Sequence, residues 1–283
     1  MESLSFPLEV DLMSQRLSRR RLLASAAAGL VLAFVRPAMA ASASSLPPLS
    51  DVLAGDPGSM NVVNYALYVH DRDKVNASRA EHQAYADALR EHDRLVMGGP
   101  LVDDEGRPRG VLLVYDVASK RQAETLAQGD PFALNGAIAD YRLDEWRVVD
   151  SNADLLAAAL VPEEGRAAPP ARPVSGPKPA DRDAPPARTY VDYVTFVSDR
   201  AHVERVQPAH QAYSRTLEAK GKLIVAGPFA GGTGALVVYR AQSKDEATAL
   251  ALGDPYHAES VVETHELSQW RLFGLNARLI RRR

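Results

Sequence analysis

The chain has 283 residues, a formal net charge of -3 and 24% charged residues, so no global basic field points to nucleic acid, and aromatics at 6% are too few for a base-stacking platform. With 46% apolar residues the composition is globular, and the length suits two small domains better than one. There is no cysteine, which excludes disulfides, thiolate catalysis and thiolate-bound metal.

The N-terminus reads as a targeting segment over residues 1–40. Paired arginines in Ser18-Arg19-Arg20-Arg21 stand directly before the apolar run Leu22–Phe34. At 13 residues that run is short of the roughly 20 needed to span a bilayer as a helix. It ends at Pro37 and the small-x-small sequence Ala38-Met39-Ala40. Basic region, short apolar region and Ala-x-Ala describe a cleavable signal, and the adjacent arginines favour the twin-arginine type. Cleavage is expected near Ala40, with a retained anchor as the alternative, and Met13 offers a second start. The expected location is periplasmic or otherwise exported, with membrane contact only during export.

A short N-terminal segment, 41–60, precedes the first unit, 61–150. Within that unit Val62–Val69 reads as a strand and Asn76–His92 as a helix. Leu95–Leu101 reads as a strand interrupted by Gly98-Gly99-Pro100. Gly110–Asp116 is a buried strand; Ser119 caps a second helix that reaches Ala127, with Gly129 as its stop; Tyr141–Val149 is the last strand. Residues 151–188 form a linker whose Pro/Ala-rich core, 162–188, builds no hydrophobic core and tends to polyproline conformations; before it, Asn152–Leu160 has the pattern of a short helix. The second unit is expected at 189–276 and a solvated basic tail at 277–283.

The two units are copies. Tyr65–Pro100 aligns with Tyr193–Pro228 at an offset of 128, and Gly110–Trp146 aligns with Gly234–Trp270 at 124. Identities number 27 in 73 pairs, which points to duplication and fusion. Each copy reads β-α-β-β-α-β, giving an α+β architecture of two tandem ferredoxin-like units, each a four-stranded antiparallel sheet with both helices on one face. The bare face of each sheet must be buried. The two sheets are therefore expected to pack face to face as an intramolecular pseudo-dimer; pairing between chains as a homo-oligomer is the alternative.

At these residues the sequence resembles the YCII-related domain family. The resemblance rests on His-x-x-Tyr in the first helix, Gly-Pro at the second strand, Ser-x-x-x-Ala opening the second helix, Gly-Asp-Pro-aromatic and a final Trp, present in order in both copies. It implies a ferredoxin-like fold of the dimeric α/β barrel kind and a site built on a His and an Asp, without naming a substrate. Carried over by motif, the pairs are His82 with Asp130 and His210 with Asp254.

A neutral imidazole held by a carboxylate can take or give a proton near neutral pH, which suits isomerisation or elimination on a small organic molecule. The other reading makes Asp130 a turn-former after a helix and His82 its structural partner. Tyr85 and Tyr213, three residues after each His, are candidate substrate donors, and the backbone at Gly99, Pro100, Gly227 and Pro228 is a candidate pocket lining. Arg79 could hold an anion but is Gln207 in the second copy. Trp146 and Trp270 read as core, and Arg107 and Arg109 as solvated. His70, His92, His202, His257 and His265 have no counterpart in the other copy, and no spacing demands a metal or cofactor. Three functions compete: an acid/base enzyme, a non-catalytic small-ligand binder, and a structural repeat protein.

Overall fold

The computed structural model describes residue 53 and residues 58–161 and 187–280. The expected signal segment, the Pro/Ala-rich stretch and the last three arginines lie outside the described residues. Among the described residues no helix is long and apolar enough to cross a membrane.

The first copy runs β1 (Met60–Tyr68), α1 (Arg72–Glu91), β2 (Leu95–Val102), β3 (Pro108–Val117), α2 (Lys120–Gly129), a one-turn α3 (Pro131–Leu134) and β4 (Ile138–Trp146). Then come β5 (Asp150–Ser151) and α4 (Ala153–Ala158). The second copy runs β6 (Arg188–Phe196), α5 (Arg200–Ala219), β7 (Leu223–Pro228), β8 (Gly234–Ala241), α6 (Lys244–Leu252), α7 (Pro255–Ala258), β9 (Val262–Trp270) and β10 (Gly274–Leu275).

Local chemistry explains the boundaries. The helix α1 starts one turn before the expected Asn76, because Asp71 caps it, accepting from the Lys74 amide at 3.1 Å. Its polar first turn carries no apolar periodicity to announce it. Ser119 caps α2 as expected, accepting from the Gln122 amide. Gly129 is the last residue of α2 rather than a left-handed stop, and Asp130 follows it as C-cap. The Gly98-Gly99-Pro100 sequence does not break β2, which continues with two register shifts.

The strands join one antiparallel sheet in the order β4-β1-β3-β2-β9-β6-β8-β7-β5, with β10 off this path and paired to β2. It returns on itself where Trp146 bridges Phe229. The result is an α/β barrel made by two ferredoxin-like sheets packed face to face. Alternation along β1 sends Val63 and Tyr65 into the barrel core and Val62 and Ala66 under the helices. Both faces are covered, so the strand is mostly apolar rather than alternating, with Asn61 and Asn64 as its buried polar exceptions.

The two seams are equivalent. After Trp146 the chain crosses to β7: Arg147, Val149 and Asn152 amides donate to the carbonyls of Pro228, Ala226 and Ile224. After Trp270 it crosses to β2: Arg271, Phe273 and Asn276 amides donate to Pro100, Gly98 and Val96. Each seam depends on a glycine. A Cβ on Gly99 would lie 1.8 Å from the Arg271 carbonyl oxygen, and one on Gly227 would lie 1.9 Å from that of Arg147. The Trp270 indole donates to the Gly99 carbonyl at 3.1 Å, and Trp146 donates to Gly227 at 2.9 Å. The motif residues Gly and Trp thus hold the barrel closed.

This crossing changes the reading of two segments. The start of the expected linker is folded onto the second copy: β5 pairs with β7, and Leu156 of α4 is buried in the barrel core. The expected solvated tail begins docked on the first copy, where Arg278 and Asn276 side chains both donate to Asp93.

The barrel interior carries an asymmetric charge pair. Arg142 and Glu266 occupy equivalent positions in the two copies and form an ion pair across the pseudo-two-fold axis. Arg142 also lies over the rings of Tyr65 and Tyr193, 5.7 and 5.0 Å from their centroids. Pairing either copy with itself would oppose like charges there. Reversing one member, Arg142→Glu, is expected to lower unfolding stability by roughly 1–2 kcal/mol, and the double exchange Arg142→Glu/Glu266→Arg to recover most of it, as read by urea unfolding.

Candidate functional site

His82 projects from α1 toward Asp130, which stands between α2 and α3. The His82 Nδ1 lies 2.9 Å from each Asp130 carboxylate oxygen. Asp130 Oδ1 also accepts the Phe132 amide at 2.9 Å, so the same carboxylate caps α3 and holds the imidazole. The second copy repeats this: His210 Nδ1 is 2.9 and 2.7 Å from the Asp254 oxygens, and Asp254 Oδ1 accepts the Tyr256 amide at 2.9 Å. An ionised carboxylate can only accept, so each Nδ1 carries the hydrogen and Nε2 is left as the basic nitrogen.

An aromatic ring fixes each imidazole from its face. Phe132 stacks on His82 with centroids 4.2 Å apart, and Tyr256 stacks on His210 at the same distance. The first imidazole is the more enclosed, with 12% of its side chain exposed against 27% for His210.

The first dyad opens on a small, half-open pocket between α1 and the sheet. His82, Tyr68, Arg79, Arg90, Gly99, Pro100 and Phe132 line it, and Phe273 reaches in from the second copy's crossing segment. Burial and the nearby Asp130 charge push the Tyr68 hydroxyl up, so it remains a donor. Arg90 pairs with Asp87 at 3.0 Å, while its buried Nε has no hydrogen-bond partner. Arg79 and Arg90 thus share the pocket with this imidazole, Arg90 with its charge partly met by Asp87. The second copy has Phe196, Gln207 and Glu218 in place of Tyr68, Arg79 and Arg90.

The structure thus brings His82, Asp130, Gly99 and Pro100 to one pocket. Gly227 and Pro228 take the equivalent place in the second seam. Tyr85 and Tyr213 are used otherwise: their hydroxyls donate to the carbonyls of Leu126 at 2.7 Å and Leu250 at 2.8 Å, near the ends of α2 and α6. They tie helix to helix, and Tyr85 is 7% exposed. Three lining residues, Tyr68, Arg90 and Phe273, are not among those the sequence motifs mark. Tyr68 and Arg90 carry a sequence signal in that both differ between the copies, whereas Phe273 is contributed by a chain crossing that no local pattern encodes. One further set of ligand-type side chains converges among the described residues, Asp192, His257 and His265 in the second copy.

The YCII-related domain model matches residues 60–147 and 189–271, more than half of the chain. The chain belongs to the YCII-related domain family. Two family domains in one polypeptide supply the two halves of the barrel. No protein of curated function matches the sequence. Among solved structures, 5-chloro-2-hydroxyhydroquinone dehydrochlorinase from Burkholderia phenoliruptrix, in complex with 2,5-dihydroxybenzoquinone, is 22% identical, with a TM-score of 0.28 over 31% of this chain and 94% of that one. A haem-binding protein from Thermus thermophilus is 12% identical, with a TM-score of 0.43 over 76% and 92%. Chlorite dismutase from Candidatus Nitrospira defluvii, in complex with imidazole, is 9% identical, with a TM-score of 0.46 over 78% and 94%.

The double duty of Asp130 is separable. Asp130→Ala is expected to cost about 2 kcal/mol, through loss of the cap and of the imidazole's partner, whereas Asp130→Asn keeps the cap and costs less than half of that. Denaturant midpoints of the two variants check this.

Proposed function

We propose that this YCII-like protein is a small-molecule enzyme whose first copy transfers protons on an anionic organic substrate, an organic acid or a phenol, in an isomerase- or lyase-type reaction. The observation that supports it most is the His82–Asp130 pair, with its tautomer fixed, opening on a pocket flanked by Arg79 and Arg90. The two guanidinium groups would bind the substrate's anion, Tyr68 would donate a hydrogen bond, and Nε2 of His82 would take the proton and return it. Asp130 would hold the imidazolium as it forms, without itself being protonated. The second dyad, without the flanking cations, would serve the fold or a different ligand.

The test is a thermal-shift screen of aromatic and aliphatic carboxylates and phenols, followed by proton exchange of each binder in heavy water by NMR. His82→Ala is expected to slow exchange ~10²–10⁴-fold while leaving binding within a few-fold, with His210→Ala near wild type. Binding without any exchange in the wild-type chain would favour the non-catalytic ligand binder instead.

We also propose that the protein is exported, on the support of the paired arginines, the short apolar run and Ala38-Met39-Ala40. N-terminal sequencing of the protein from the cell envelope is expected to begin at Ala41; an intact N-terminus in the membrane fraction would instead mean a retained anchor.

A further inference from the structure

Asp192 sits in the middle of β6 and is 1% exposed. Its Oδ1 has no hydrogen-bond partner. A carboxylate this buried is costly unless a partner offsets its lost hydration. The first copy shows that the fold does not require it. Asn64 stands at the same position and donates from Nδ2 to the Tyr115 hydroxyl at 3.0 Å.

Two imidazoles converge on that carboxylate. His265 on β9 places Nδ1 3.4 Å from Asp192 Oδ1, and His257 on α7 meets the His265 ring edge-on with centroids 4.8 Å apart. Ligand atoms of all three lie within 4.8 Å of one another. Bonds of ~2.0–2.1 Å in tetrahedral array separate ligand atoms by ~3.3 Å. The His265–Asp192 distance already matches this, and the remaining separations need to close by at most about 1.5 Å. Asp192 is sealed at the base while His265 is 33% exposed, so the set is open to solvent on one side.

We propose that Asp192, His257 and His265 bind one divalent transition ion of the zinc type, in the second copy only. Two imidazoles and one carboxylate suit such an ion, and three protein ligands leave a position open to water or to a ligand. His257 lies on α7, the helix that Asp254 caps, so the ion would lie beside the second dyad. The first copy has Asn64, Ala133 and Tyr141 at the three positions, so the site arose by divergence of one half. The proposal does not depend on the acid/base reading of His82.

Those first-copy residues supply the test. Chelator-stripped protein is titrated with Zn²⁺ by calorimetry and with Co²⁺ by absorption. One ion per chain is expected. Asp192→Asn, His257→Ala and His265→Tyr, each a residue the same fold already accommodates, are expected to weaken binding at least ~100-fold, beyond what loss of an outer partner costs. His210→Ala is expected to retain the ion within a few-fold. Zinc should raise the melting temperature of the wild type and not of Asp192→Asn. X-ray absorption of the zinc-loaded wild type, which needs no variant, should show two imidazoles. No stoichiometric binding, binding unchanged in Asp192→Asn, loss of the ion in His210→Ala, or a ligand set without two imidazoles would each overturn the site.

Discussion

Everything in this molecule depends on covering the bare faces of two four-stranded sheets. A ferredoxin-like unit protects one face with its helices and leaves the other to a partner. Here the partner is the second copy, and the closure is more than face-to-face burial. Each copy sends the segment after its last strand across to the second strand of the other, with three amide-to-carbonyl hydrogen bonds at each seam. The glycines at positions 99 and 227 let the crossing backbone approach closer than any side chain would allow. The two tryptophans lock the same places with their indole N–H groups.

The seam also shapes the candidate site. Gly99 and Pro100 belong at once to the barrel closure and to the wall of the His82 pocket, and Phe273 reaches that wall because the second copy's chain crosses there. The pocket of one family domain is therefore finished by the other. Its polar chemistry is local: one carboxylate between two helices both caps α3 and holds the imidazole, while a stacked ring fixes the face. Duplication then allowed the halves to diverge. The first keeps positive charge beside its dyad; the second gains a buried carboxylate with two imidazoles. The ion pair between Arg142 and Glu266 joins unlike halves and would repel like ones.

Some residues had one meaning in sequence and another in space. The spacing of Tyr85 after His82 placed it on the same helical face, and it is there, but its hydroxyl is taken by the Leu126 carbonyl. The Gly98-Gly99-Pro100 run looked like a strand break, since glycine and proline usually interrupt a ladder, yet it is a strand in which a foreign backbone needs the room. His257 and His265 have no counterpart in the other copy, and their spacing does not mark them as ligands. Their convergence is made by a short helix and a distant strand, together with Asp192, which is 65 residues away from His257 in the chain.

By itself the sequence determined the duplication, the β-α-β-β-α-β order of each copy and the Ser119 cap, and through the motifs it shares with the family it pointed to the two His–Asp pairs. These are written in local periodicity, in capping chemistry and in motifs repeated at fixed offsets, so they survive without three-dimensional information. Only the tertiary structure decided how the barrel closes, which residues complete the pocket and where the unmatched histidines meet. Those follow from two chain crossings between copies and from side chains brought together across the sheet. Such long-range contacts leave no periodic trace, because their spacing in the chain is set by the fold and not by the pitch of a helix or the pleat of a strand.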